Sequence, residues 1–360
     1  HITSLALLTE AQEKVTNVLF TDDETLKQSV VYDGATKDLH VKSSSQLYAV
    51  AYDKATGLFT FTKTGANETT KSISDTAMAI SFAWLANINN LQKRLGDLRS
   101  GEESNTGWVR FQRNMDDLNV GRKVNVSGNL YQIGYDFALQ NDKTSRGYFG
   151  LSFERMDGNQ SFKLGGGDLK STSVGAYFTK IYDSGHYFDF ILRYGRYESD
   201  TTSYDEDTIT KLDYALNGVT FSAEYGYRAN IGKNGFYLEP QTEFIYGYLG
   251  GAKKKSSIGE LATIDSTNPF ITRLGVSLGQ QAENFNYYLR SSYYHNFTKS
   301  AKITYGDASY AQNGARNWWE VSFGLGWNMS KTSYFYAECS KHFKDIRNSP
   351  NFNLGFRFTF

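Results

Sequence analysis

The sequence predicts an all-β fold. It reads as a 12-stranded antiparallel transmembrane β-barrel with an N-terminal α-helix through the lumen, preceded by a short β-rich segment. Three observations predict it. Apolar and polar residues alternate with a period of two, and the pattern recurs about a dozen times after residue 105. The connections between these runs alternate between long and short. The composition is polar on average yet rich in aromatics, with 26 Tyr and 25 Phe at a mean hydropathy of −0.50.

Charge and composition exclude other classes. Lys+Arg and Asp+Glu are both 38, so there is no basic surface of the kind that displaces phosphate counterions, and no nucleic-acid partner is expected. One Cys rules out a disulfide framework, and five scattered His give no metal-ligand spacing, so no cofactor or metal is expected. The longest weakly polar stretch, Thr76 to Ala86, is well short of the roughly 18 residues that a spanning helix needs. The chain starts at His1 rather than Met and reads as a fragment or processed product whose targeting signal is not visible.

Along the chain, residues 25 to 65 read as short strands with turns: Val30 to Gly34, Gln46 to Asp53, and Leu58 to Lys63. From Asp75 to Leu98 the pattern becomes helical. Ser74 or Asp75 can serve as the N-cap, and Lys93, Arg94 and Arg99 complement the dipole at the far end. Some 20 residues at about 1.5 Å each extend about 30 Å, which matches a bilayer core. A helix too polar to meet lipid, directly before a barrel with a polar interior, belongs in the lumen. Its C-terminus then lies at the periplasmic mouth and the upstream segment outside the cell.

The barrel strands follow. They centre on Phe111, Tyr135, Leu151, Ala176 and Phe190, then on Val219 to Tyr225, Phe236 to Tyr246, Phe270 to Leu278, Leu289, Trp319 to Trp327 and Phe335. The last is the plainest: Phe352, Leu354, Phe356, Phe358 and Phe360 alternate with Asn351, Asn353, Gly355, Arg357 and Thr359. The second face repeatedly carries Gly, Ser, Glu and Arg, which suit a crowded polar interior, so the apolar face looks outward. Trp318, Trp327, Tyr287 and Tyr248 fit aromatic girdles. Long connections are expected at Met115–Ser127, Asp157–Lys170, Glu198–Asn217, Gly250–Asn268 and Thr298–Arg316, a moderate one at Lys344–Asn351, and short ones between them. That order puts both ends of the barrel on the periplasmic side.

Several segments resemble a known family. Asn89-Asn90-Leu91-Gln92-Lys93-Arg94-Leu95-Gly96-Asp97-Leu98-Arg99, followed by Gly107-Trp108-Val109-Arg110, resembles the linker and first strand of autotransporters, the type V secretion proteins. Gly185-His186-Tyr187-Phe188-Asp189, Ala223-Glu224-Tyr225-Gly226-Tyr227, Leu238-Glu239-Pro240-Gln241, Arg273-Leu274-Gly275 and the closing Phe356 to Phe360 add to it. The resemblance spans residues 74 to 360. It implies a monomeric translocator in the bacterial outer membrane whose lumen helix connects to its own passenger. Residues 1-73 would be the C-terminal end of that passenger at the cell surface, 74-99 the linker helix, and 105-360 the barrel. It also implies partners: outer-membrane lipid, periplasmic chaperones, and a barrel-assembly machinery that reads the terminal aromatic, Phe360, as a signal. Phe360 could equally serve as a plain interfacial anchor.

In serine-protease-type autotransporters the passenger is released by a cut between two Asn in this linker, and Asn89 and Asn90 fall on that pair. By resemblance, Asp189, Glu224 and Glu243 match the lumen acids, and the alternation independently points all three inward. An Asn side-chain amide can attack its own backbone carbonyl when a carboxylate assists. Arg193, Arg228 and Arg273 share that interior, so the acids can also simply pair with them.

Other motifs weigh less. Gly275-Val276-Ser277-Leu278-Gly279 satisfies the nucleophile-elbow expression but sits inside an alternating strand. Cys339 alternates outward with Phe335 and Ala337. Lys253-Lys254-Lys255 and Asp205-Glu206-Asp207 read as solvated loop charges, with lipopolysaccharide or cation contact as the alternative. The competing functions are a barrel enzyme or small-solute channel, which needs an open lumen or a Ser/His pair at the rim, and an adhesin whose passenger stays attached.

Overall fold

The computed structural model describes residues 14–16, 40–42, 45–53, 55, 58–86, 94, 104–139, 144–205, 208–298, 302–348 and 350–360. Strands β1 (Lys14–Thr16), β2 (His40–Lys42), β3 (Gln46–Asp53) and β4 (Leu58–Ala66) form an antiparallel sheet in the order β1-β4-β3-β2. β3 and β4 are the strands expected at Gln46 and Leu58. The one expected at Val30 to Gly34 lies outside the described residues.

Helix α1 (Glu68–Ala86) starts seven residues earlier than expected. Its cap is Asn67, not Ser74 or Asp75: Asn67 Oδ1 accepts the Thr70 backbone N–H at 2.9 Å, an N-cap bond to the third helical residue. Ser74 and Asp75 are instead buried one turn and more inside the helix. The first two turns are rich in Thr and Ser, weak helix formers, so tertiary packing rather than propensity sets this end. Of the expected helical stretch after Ala86, only Arg94 is among the described residues.

The barrel begins with β5 (Thr106–Leu118), β6 (Val124–Ala138), β7 (Ser145–Phe162), β8 (Gly165–Tyr182), β9 (His186–Asp205) and β10 (Thr208–Tyr227). It continues through β11 (Ala229–Ile231), β12 (Phe236–Leu249), β13 (Ala252–Lys255), β14 (Leu261–Ile264), β15 (Phe270–Gln281) and β16 (Phe285–Asn296). The rest are β17 (Lys302–Tyr305), β18 (Ala308–Ala311), β19 (Asn317–Asn328), β20 (Ser333–Lys344), β21 (Ile346–Asn348) and β22 (Asn351–Thr359). Twelve of these form the wall: β5 to β10, β12, β15, β16, β19, β20 and β22, each antiparallel to its neighbours. β22 pairs with β5 and β10 with β12, so the wall closes and leaves no edge with unpaired backbone facing lipid.

Three expected long loops are largely strand. β5 and β6 are joined through 119–123, β7 and β8 through 163–164, and β9 and β10 through 206–207. Backbone pairing runs on past the lipid-facing stretch: Arg155, Thr172 and Arg196 are still in register. What ends there is the apolar outward face; the alternation continues with its sense reversed, as in buried Leu212, Tyr214 and Leu216 beside exposed Lys211 and Asp213. The Gly250–Asn268 and Thr298–Arg316 connections carry a separate four-stranded sheet, β13-β14-β17-β18, and β21 lies in Lys344–Asn351. All the extra length sits at one end of the barrel, so the expected asymmetry stands.

The wall is inverted relative to a soluble sandwich. Leu192, Leu274 and Phe323 are more than half exposed on the outside, while Asp189, Glu243, Arg273 and Arg290 are buried inside. Trp327, Tyr287 and Tyr248 face outward as expected, but Trp318 does not. It points into the lumen and stacks on Tyr294, ring centroids 5.0 Å apart, because its even-numbered position falls on the inward parity of β19. Inward Tyr rings lie flat over inward Gly residues of the next strand. A Cβ at Gly226 would overlap the Tyr187 ring, and one at Gly150 the Tyr177 ring. Ser277 is buried within β15, which excludes the nucleophile elbow.

Candidate functional site: the charged lumen and the helix it holds

Strand register places the sequence-predicted acids in one row. Asp189 of β9 stands opposite Glu224 of β10, Glu224 opposite Glu243 of β12, and Glu243 opposite Arg273 of β15. Period-two alternation makes all four inward, and antiparallel pairing sets them side by side. Arg273 is fully buried and bridges two carboxylates, at 2.9 Å from Glu224 and 2.8 Å from Glu243, while a further N–H donates to Gln241 Oε1 at 2.8 Å. Tyr187 O–H donates to Glu224 at 2.7 Å. Asp189 is held by Arg94, at 2.7 Å, and by the Thr179 hydroxyl at 2.5 Å.

The other two predicted arginines stand apart from this row, each with its own acid. Arg193 pairs with Glu154 at 3.1 Å, and Arg228 with Glu239 at 2.6 Å, stacked 3.9 Å over the Tyr237 ring. Sequence reasoning missed Glu154 and Glu239. It also missed a further cluster in which Arg290 meets Glu338 at 2.8 Å and Glu320 at 3.5 Å, and His342 sits between Asp116 at 2.9 Å and Glu320 at 3.1 Å. Their inward parity was readable. Their partnerships depend on the relative register of strands far apart in sequence. Buried charges persist only when paired and hydrogen-bonded, and each of these is.

Arg94 comes from the linker, not the wall. Its guanidinium lies 4.0 Å over the Tyr177 ring as well as on Asp189, and its backbone carbonyl accepts a hydrogen bond from Tyr336 O–H. It therefore pins the chain after α1 to the lumen wall. Lys93, Arg99 and the pair Asn89 and Asn90 lie outside the described residues.

The helix is anchored at the long-loop end. Arg122 reaches Glu68 and Asp75, both at 2.9 Å, Lys71 meets Glu68 at 2.9 Å, and Thr69 donates to Asp205 at 3.0 Å. Partial burial of Glu68 works against its charge, but the hydrogen bonds from Arg122 and Lys71 prevail and hold its carboxyl at about 2. Farther down, Thr76 shares a hydrogen bond with Tyr214 at 2.8 Å, and Trp84 Nε1 donates to Thr220 at 2.7 Å. α1 packs on β6 to β9 and under β17 and β18. Toward β12, β15 and β19 it leaves a cavity of about 80 Å³ lined by Phe82, Leu85, Leu249, Ile271 and Trp318.

Among the described residues, no three His, Cys, Asp or Glu side chains converge to hold a metal ion. Phe360 lies past the end of β22, its N–H donating to Asn105 O at 2.9 Å and its ring, 77% exposed, stacked near Tyr135. Lys253 to Lys255, expected in a loop, lie instead in β13, with Lys254 on Asp213 at 2.8 Å. Cys339 is half-buried opposite Phe323 and Phe352 on the outward face.

Known proteins share this fold. The BrkA autotransporter of Bordetella pertussis is 26% identical over 326 residues, covering 87% of this chain and 32% of that protein. The serine protease EspC of Escherichia coli O127:H6 is 32% identical over 232 residues, covering 62% of this chain and 17% of that one. The chain thus spans a third or less of the length of these relatives. Among solved structures, the transport unit of AIDA-I from Escherichia coli is similar with a TM-score of 0.65 at 18% identity, covering 80% of this chain and 99% of that one. The β domain of BrkA gives 0.61 at 23%, covering 71% and 100%. The NalP translocator domain from Neisseria meningitidis gives 0.60 at 13%, covering 79% and 98%. Residues 107–340 match the family described as the autotransporter beta-domain, and with the closed barrel, the polar lumen and the helix inside it, the chain belongs to that family.

Proposed function

We propose that the chain is an outer-membrane translocator that exports and anchors its own N-terminal passenger. Residues 1-73 are the passenger's end, 74-99 the linker and 105-360 the barrel. The single observation that supports this is a linker held inside a closed, polar barrel at two levels, by Arg122 at the long-loop end and by Arg94 on Asp189 below. A polypeptide in transit needs such a lumen: backbone groups can be satisfied there by side chains, as they cannot be in lipid. The test is an epitope placed before β1 in intact cells. Added protease should remove it without permeabilising the outer membrane, and an epitope reached only after permeabilisation would refute the reading. Assembly machinery and periplasmic chaperones are the proposed partners, with the exposed ring of Phe360 as the recognised end. A barrel enzyme or small-solute channel is disfavoured by the helix in the lumen.

A second reading concerns release of the passenger. Arg94, five residues past Asn89, is anchored on Asp189 in the same row as Glu224 and Glu243. In this proposal Asn89 Nδ2 attacks the Asn89 carbonyl carbon and the bond to Asn90 nitrogen breaks. A carboxylate of the row takes the amide proton, which passes to the leaving amine. Replacing Asn89 by Ala and following passenger size on a gel tests it, and an unchanged cleavage pattern ends the idea.

A further inference from the structure

The wall changes character where it leaves the lipid-facing band, and it does so differently on its two halves. On β5, β7 and β9 the run of apolar outward residues is first broken, toward the long-loop end, after Phe111, Phe153 and Tyr194, where the next outward positions are Arg113, Arg155 and Arg196; Met115 and Tyr204 return farther out. On the intervening strands the same step carries Asn129, Thr172 and Asn217. The alternation reads Arg, Asn, Arg, Thr, Arg, Asn around half of the barrel. On the other half this level carries exposed aromatics: Tyr248, Trp319 and Phe343. Strands lie about 4.8 Å apart, so arginines on alternate strands recur about every 10 Å.

We propose that Arg113, Arg155 and Arg196 form a belt that binds the phosphorylated headgroups of lipids in the leaflet beside the long-loop end. Two residues of a tilted strand rise about 5 Å, which places the guanidiniums just beyond the hydrocarbon, at headgroup level. Guanidinium is the side chain suited to phosphate because its planar fork donates in pairs. The short neighbours brace it: Arg113 donates to Asn129 at 3.0 Å and Arg155 to Thr172 at 2.9 Å. Asp157 and Glu198, two residues farther from the band, take Arg155 and Arg196 at 2.9 Å each. Arg155 is thereby largely committed. Among the described residues Arg113 uses one nitrogen and Arg196 only its Nε, and each of those two lines an open groove on the outer wall. The groove at Arg113, of about 320 Å³, runs past Met115, Asp117, Asn125, Ser127 and Asn159. The one at Arg196, of about 400 Å³, runs past Lys170, Lys253 and Lys254, with Glu198, Asp200 and Asp213 also on its wall. A polar groove opening from a cation at the membrane surface has the shape and chemistry for a phosphorylated sugar headgroup.

The whole chain, purified and returned to vesicles of phosphatidylcholine doped with bis-phosphorylated lipid A or its dephosphorylated form, tests the belt by native mass spectrometry of retained lipid. Retention of the phosphorylated form alone is expected. Each available surface cation contributes roughly fivefold and Arg155 is largely committed, so Arg113→Gln with Arg155→Gln and Arg196→Gln should weaken retention roughly 25-fold. Lys233→Gln with Lys331→Gln, in the short connections at the opposite end of the barrel, should change it less than twofold. Should the triple Arg variant not fold, Arg196→Lys keeps the charge without the fork and should lose several-fold. Equal retention of both lipids, equal retention by wild type and Arg variants, loss in the Lys variant alone, or full displacement by inorganic phosphate would each overturn the proposal. None of these readouts depends on export.

Discussion

Replacing Arg273 by Met removes the one cation shared by Glu224 and Glu243, which face each other across β10 and β12. Arg273 is fully buried, and each contact, at 2.9 and 2.8 Å, carries a gross attraction of about 6 kcal/mol at an effective dielectric near 20. Desolvation offsets much of that in the native pair. Truncation leaves two buried carboxylates uncompensated, and breaking a buried pair in this way costs about 3–5 kcal/mol. The expected result is a loss of that size in a urea titration of the lipid-reconstituted chain, followed by tryptophan fluorescence. Adding Glu224→Gln and Glu243→Gln to the same chain removes the charges that Arg273 served and should restore all but about 1 kcal/mol. A single variant within about 1 kcal/mol of wild type, or a triple variant no better than the single, would refute the reasoning.

Gly226→Val places branched carbon where the Tyr187 ring lies, and overpacking should cost about 1–3 kcal/mol, read as a lower thermal unfolding midpoint. Asn67→Ala deletes the cap of α1 and should cost about 1 kcal/mol, seen as faster hydrogen exchange in the first turn with the barrel strands unchanged. Trp84→Ala empties a buried indole and strands the Thr220 hydroxyl; a loss of about 3–5 kcal/mol in helix docking is expected, with raised single-channel conductance in planar bilayers as the check. Deleting residues 68–99 should raise that conductance further, and an unchanged value would count against the helix as a plug.

The barrel was legible because lipid and a wet lumen impose opposite demands on alternate residues. Phe352 to Phe360 and Trp319 to Trp327 could be assigned to faces without any structure. Legibility stopped where that contrast no longer held. Past Phe153 and Tyr194 the contrast reverses: the outward face meets water, the inward face (Met156, Tyr197, Leu212) is buried, and Arg155 or Glu198 in a strand looks like a loop residue. The start of α1 was hidden for a similar reason: Asn67 is one short polar residue among many, and Glu68, Lys71 and Asp75 hold the helix through Arg122, distant in sequence. Trp318 was misread because Trp suits both a girdle and a core, and parity, not residue type, decides.

By itself, the sequence determined the strand count, the inverted polarity of the wall, the inward set Asp189, Glu224, Glu243, Arg193, Arg228 and Arg273, and the presence of a helix before the barrel. These follow from local periodicity, which each segment carries alone. Tertiary structure decided which charges meet: Arg94 on Asp189, Arg273 between two glutamates, Arg290 on Glu338, Arg122 on the helix. Pairing across a closed barrel depends on register and shear between strands up to hundreds of residues apart, and no local pattern encodes them.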